Sequence, residues 1–224
     1  MVKIERTDSP EARAAVESLG KEKVRPSGTY RTEEVNKALG LMFAHKCYLC
    51  EQKGLSDLQI GHLIPHRQNR DLMFDWNNLF LSCAHCNNIK NDKYTPILDC
   101  TRTDVDKKIA FHRYRELFED RLDIVALDDS LETKNTADLM NEVYYGTTPQ
   151  KKAEAKIIRE RLSKELDEFQ DCVKSYNLAD GEDKKDCELS IMMKLKWNAP
   201  FAAFKRWMIR DASDKFPELL KYCQ

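Results

Sequence analysis

The chain has 224 residues, one third of them charged, with 37 basic and 38 acidic side chains and a net charge of −1 at pH 7. That length suits one large domain or two small ones, and the balanced charge excludes a globally basic nucleic-acid binder, leaving such contacts to a local patch or a partner. No run reaches transmembrane length, residues 1–6 lack the apolar core of a signal peptide, and the scattered Cys100, Cys172, Cys187 and Cys223 suit reduced thiols, so a cytoplasmic protein is expected.

Taken in order, residues 1–30 read as an extended arm, because Ser9-Pro10 and Pro26-Ser27-Gly28 interrupt any long helix, with a short helix over 11–19. Thr32 is an N-cap followed by Glu33 and Glu34, and Val35, Leu39, Met42 and Phe43 form the apolar stripe of a helix that delivers the chain to Cys47. Leu58, Ile60, His62 and Ile64 share one parity, predicting a strand over 57–64, with 78–82 opposing it and a short helix over 84–92. Residues 109–117 match both a helical and a strand period, whereas 122–127 read as a strand.

Beyond residue 130 the pattern is helical. A helix over 135–145 is followed by a break at Gly146 and Pro149. Ile158, Leu162, Leu166, Phe169, Val173 and Tyr176 then mark a long amphipathic helix, closed by Asp180-Gly181. Cys187, Ile191 and Leu195 begin another stripe. Pro200 fits the first turn of a last helix over 201–211, whose Phe204 and Met208 are expected on the long helix. Residues 117–200 hold 13 basic and 19 acidic side chains, a poor nucleic-acid surface and a better docking element.

Two knuckles, Cys47-Tyr48-Leu49-Cys50 and Cys83-Ala84-His85-Cys86, supply four thiolates at a spacing that suits a tetrahedral structural zinc ion. Between them lie Ile60-Gly61-His62-Leu63-Ile64-Pro65-His66 and Asp75-Trp76-Asn77-Asn78-Leu79, and after them Asn87-Asn88-Ile89-Lys90. This arrangement resembles the HNH, or ββα-metal, nuclease motif. The resemblance implies an α+β chain: a zinc-stabilised, treble-clef-like ββα core over 45–100, an N-terminal arm and helix over 1–44, and a mainly helical, partner-docking region over 101–224.

The resemblance also implies an endonuclease that hydrolyses phosphodiester bonds with a divalent ion, Mg²⁺ or Mn²⁺. His62 is then the general base, Asn78 holds the loop and the imidazole in register, Asn87 ligates the ion and Lys90 contacts phosphate. One departure stands out: the family's usual acid before the histidine is Gly61 here. His66 and Asp57 are the nearest candidates to fill its place, His66 otherwise facing the groove or solvent, and Gly61→Asp should restore a charge. His85 reads as a turn residue, and His45 and His112 as surface or packing residues. The segment 74–83 and the Phe-Lys-Arg-Trp tail resemble the HNH nucleases of bacterial antiphage defence, the Septu type also found with some retrons, which implies DNA as substrate and an ABC-like ATPase partner. An RNA-cleaving nuclease or toxin, and a non-catalytic zinc module, are the alternatives.

Overall fold

The computed structural model describes residues 1–117 and 119–224. Helix α1, Pro10–Lys23, begins where Ser9 accepts a hydrogen bond from the Ala12 N–H at 3.1 Å. Proline at the first helical position gives up an N–H that has no helical partner, so Ser9-Pro10 starts a helix rather than interrupting one. The expected extended arm is corrected accordingly: α1 runs 14 residues, and Ala12, Ala15 and Leu19 are buried along with Met1, Val2 and Ile4. Helix α2, Glu33–Met42, is capped by Thr32 as expected, and Val35, Leu39, Met42 and Phe43 are all buried. His45 then covers Gly40, where a Cβ would meet its ring at 2.8 Å.

Strand β1, Leu58–His62, pairs antiparallel with β2, Leu79–Cys83, in a register that sets Gly61 opposite Phe80 and His62 opposite Leu79. Ile64 lies off the strand and is 51% exposed, since the Asn78 side chain, not a ladder partner, takes its N–H. Between the strands sit α3, Arg70–Met73, and a 3₁₀ turn, Trp76–Asn78, so Asn78 precedes β2 instead of opening it. Helix α4, Ala84–Lys90, follows directly from the second knuckle.

After α5, Val105–Lys108, the ambiguous stretch is a strand: β3, Ile109–Arg115, pairs antiparallel with β4, Asp120–Ala126. Four longer helices follow: α6, Leu131–Tyr145; α7, Pro149–Leu178; α8, Gly181–Leu195; and α9, Ala202–Asp211; a 3₁₀ turn spans Pro217–Tyr222. Pro200 falls outside α9, because Phe201 caps the helix in the left-handed region at φ 50°. Phe204 meets the rings of Phe111 at 5.2 Å and Tyr144 at 5.4 Å, so α9 rests on the β3–β4 hairpin and α6. Toward α7, α9 contributes the Lys205–Glu165 pair at 2.7 Å, and Met208 and Ile209 join the apolar cluster of Phe169 and Tyr176, so Met208 meets the long helix as expected and Phe204 does not.

One hydrophobic cluster draws on α1, α2, both strand pairs, α6 and the first half of α7; a smaller one gathers Phe169, Ile191, Leu195 and Leu219. The two knuckles therefore sit inside a shared core. Among the described residues no helix is long and apolar enough to cross a membrane.

Candidate active site

The four knuckle thiols are buried, and their sulfurs lie within 4.8 Å of one another. Tetrahedral zinc with bonds of about 2.3 Å would space its sulfurs by about 3.8 Å, and Cys50 and Cys83 stand 3.9 Å apart. Glu51 turns the first knuckle at φ 61°, and Cys83 caps α4, its sulfur accepting from the Cys86 N–H at 3.5 Å. Both turns aim sulfurs at one point, as a structural zinc requires.

Across the hairpin from this cluster lies an open groove of about 440 Å³. His62 stands in it at the end of β1, with Nε2 3.0 Å from the Met73 carbonyl oxygen. A carbonyl only accepts, so Nε2 carries the proton of the neutral ring and Nδ1 keeps its lone pair. Burial lowers the His62 pKa below its ordinary value; the Met73 bond opposes this, and the nearby Lys90 and Arg31 charges reinforce it.

Asn78 is buried and holds the groove loop at both ends. Its Oδ1 accepts from the Ile64 N–H at 2.7 Å, while Nδ2 donates to the carbonyls of Ile64 at 2.9 Å and Leu72 at 3.0 Å. Leu72 precedes Met73, so this amide also places the carbonyl that orients His62. Lys90 lies beneath the groove instead of at its lip: it is 3% exposed and donates to the His62 carbonyl at 2.8 Å. Burial pushes its ammonium down to about 8.

Asn87 faces Gly61. Its Nδ2 donates to Gln59 Oε1 at 3.3 Å, and its Oδ1 lies 2.7 Å from the point where a Gly61 Cβ would stand. The buried Ser82 hydroxyl, 3.1 Å from the same point, has no hydrogen-bond partner among the described residues. Gly61 has an ordinary strand backbone, so the glycine serves close approach: any side chain there must displace the Asn87 amide.

The two substitutes for the missing acid are elsewhere engaged. Asp57 Oδ2 accepts from the Ala84 N–H at 3.3 Å, and the residue borders a separate pocket beside Cys83 and His85. His66 does enter the groove, its ring 4.6 Å from that of His62, but its Nδ1 accepts from the Gln68 N–H at 3.2 Å. The neutral His66 ring then presents Nε2–H, a donor, in place of a metal-binding lone pair. Among the described residues the four cysteines form the one cluster of three or more potential metal ligands. The protein alone thus offers a hard divalent ion the Asn87 amide oxygen and little else, and it does not form a complete donor set.

His85 is not a turn residue. It is buried in α4, with Nδ1 2.6 Å from Glu154 of α7 and Nε2 2.9 Å from the Val143 carbonyl of α6. His112 packs against Trp207 and stands 2.8 Å from Asp211.

Two groove residues escaped the sequence reading. Tyr30 sets its ring edge-on to His62 at 4.7 Å and 82°. The neighbouring Arg31 is exposed and has no ion pair among the described residues. Both precede the Thr32 cap by one or two positions; an aromatic–basic pair is the only local signal, and only the docking of α1 and α2 brings it to the groove. Arg70 secures that docking, donating to the carbonyls of Glu22, Lys23 and Arg25 at the end of α1.

Comparison with curated proteins gave no match, and comparison with solved structures gave none. Residues 47–93 match the model of the HNH endonuclease family. That span runs from the first knuckle cysteine past Lys90 and takes in His62, Asn78 and Asn87. An HNH endonuclease domain, implying a metal-dependent nuclease with a nucleic-acid substrate, therefore occupies residues 47–93 of this chain.

Proposed function

We propose that the chain is an endonuclease that hydrolyses DNA phosphodiester bonds with His62 as general base. The observation that carries this reading is the Nε2–Met73 hydrogen bond, which leaves Nδ1 free in a groove that also holds Asn87. A water molecule gives its proton to Nδ1 as its oxygen attacks phosphorus; the bond from phosphorus to the 3′ oxygen breaks, and that oxygen takes a proton from solvent. His66 Nε2–H and the Arg31 guanidinium face the same groove and suit the phosphate oxygens by hydrogen bond and charge. Asn78 and Lys90 act through position, one on the loop and the other on the His62 carbonyl.

The HNH domain implies a divalent ion, and Asn87 is the residue offered to it; no step of this reading runs through that ion, because the groove lacks a complete donor set. The resemblance of 74–83 and the tail to Septu-type nucleases supports a role as effector of an antiphage complex with an ATPase partner.

The test is cleavage of duplex DNA, with structured RNA in parallel, over a titration of Mg²⁺ and of Mn²⁺. His62→Ala should lose at least about a hundredfold in rate with zinc content and melting temperature unchanged. A His62→Ala protein that cleaves as fast as the parent overturns the assignment, and cleavage confined to RNA replaces DNA as the substrate.

A further inference from the structure

Helix α7 carries its charge in two blocks. Residues 149–164 hold six basic side chains against two acidic, a net of +4, while 165–178 hold one basic against four acidic. Helix stability does not account for this order. The partial positive charge at a helix N-terminus favours acids there, yet the first turn of α7 has none. Nor do internal ion pairs absorb the charge. Lys151 and Arg159 pair with Glu142 and Glu119, but Lys152, Arg161 and Lys164 are exposed and have no ion pair among the described residues, and Lys156 reaches Glu160 only at 4.0 Å. These four cations fan over the side of the helix opposite Ala155, Ile158 and Leu162, which face the core.

The position of this block relative to the groove is fixed by α4. Glu154, within the basic block, holds His85 at 2.6 Å. Asn87, which lines the groove, follows His85 by two residues, about 3 Å along the helix axis. The basic segment is itself about 24 Å long, and one duplex turn is about 34 Å. Two residues also turn about 200° round α4, so α7 and the groove lie on different sides of that helix, and a nucleic acid longer than the groove is what would bring phosphates round to α7.

We propose that the basic half of α7 is a second nucleic-acid contact, in which Lys152, Lys156, Arg161 and Lys164 bind the phosphate backbone beside the scissile site. This gives an otherwise acidic helical region a local surface of the right sign. The proposal rests on the nucleic-acid part of the functional reading and is independent of whether cleavage occurs.

The test uses the full chain carrying His62→Ala, without added divalent ion. Fluorescence anisotropy with a labelled duplex of about 30 base pairs, roughly three turns, is followed between about 50 and 200 mM salt, with a structured RNA as a second arm. Replacing Lys152, Lys156, Arg161 and Lys164 together by Gln should weaken binding at least about tenfold at low salt. It should also flatten the plot of log affinity against log salt by about 3 to 4 for a duplex, close to one per cation lost. Glu160→Lys, in the middle of the fan, should tighten binding and steepen that slope by about one, a gain that misfolding cannot produce. The same changes with RNA instead of DNA support the contact and identify its ligand. Unchanged affinity and slope in the fourfold variant overturn the proposal. So does a parent chain that binds neither nucleic acid, which leaves an acidic protein as the partner of this face. Tight binding by a wild-type chain that never cleaves sinks the nuclease reading and leaves the contact standing.

Discussion

At position 61 the usual acid and the Asn87 amide compete for one space. The Gly61 Cβ point lies 2.7 Å from Asn87 Oδ1, so Gly61→Asp must swing the amide aside before its carboxylate can serve anything. Gly61→Ala isolates that steric effect. It is expected to slow cleavage by up to about a hundredfold, the loss typical of a misplaced active-site group, with zinc retained. Kinetics alongside metal analysis checks this. With His62 as the proposed base, its surroundings predict the pH dependence: burial holds its pKa below the ordinary 6.5, so the neutral ring persists into mildly acidic solution. The expected rate profile is flat at neutral pH and falls as pH drops through a midpoint below 6.5. Tyr30→Ala, which opens His62 to water, should move that midpoint upward. A midpoint that rises above 6.5 in the parent contradicts the assignment of His62.

At the level of elements, the cysteine knuckles and the groove loop share one frame, and this frame is where the sequence was most legible. Cysteine spacing, the Thr32 cap and the parity of Leu58, Ile60 and His62 are local signals that local geometry reproduces. What they missed depended on distant partners. His85 looked like a turn residue because Glu154 and Val143, which bury it, are 69 and 58 residues away. Tyr30, at the end of the expected arm, and Arg31 beside it carry no groove signal of their own, because the groove they line forms only after α1 docks on Arg70. Asn78 braces the loop through Ile64 and Leu72. Asn78→Ala removes those bonds and leaves buried backbone groups unpaired, which should cost about 1–3 kcal/mol and reduce cleavage by misplacing the Met73 carbonyl. Denaturation curves and rates on the same preparations test both halves. Removing zinc with a chelator should unfold the segment 45–95, visible as loss of amide protection there while α7 and α8 retain theirs.

Across the whole molecule, the first knuckle is tied to the last long helix by a buried charge. Lys46 is fully buried and pairs with Glu51 at 3.1 Å; the other Glu51 oxygen accepts from the Ala203 N–H at 2.9 Å, and Lys46 also donates to the Ala199 carbonyl at 3.2 Å. Burial alone would raise the Glu51 pKa, but the Lys46 charge, the Met1 ammonium 3.6 Å away and the hydrogen bonds hold it at about 2. A carboxyl depressed from 4.5 to about 2 stabilises the fold fully above 4.5, and that contribution is lost as pH falls through about 2. The shift corresponds to something on the order of 3 kcal/mol. Glu51→Gln keeps the shape but leaves the Lys46 ammonium buried without its counter-charge, which is expected to cost about 3–5 kcal/mol at neutral pH. The loss should shrink on acidification below 4.5, where the parent loses the same interaction. Urea denaturation of parent and variant at neutral pH and near pH 3 measures the difference. A gap that is small at neutral pH, or that widens in acid, would show that the knuckle and α9 are held together by apolar packing alone.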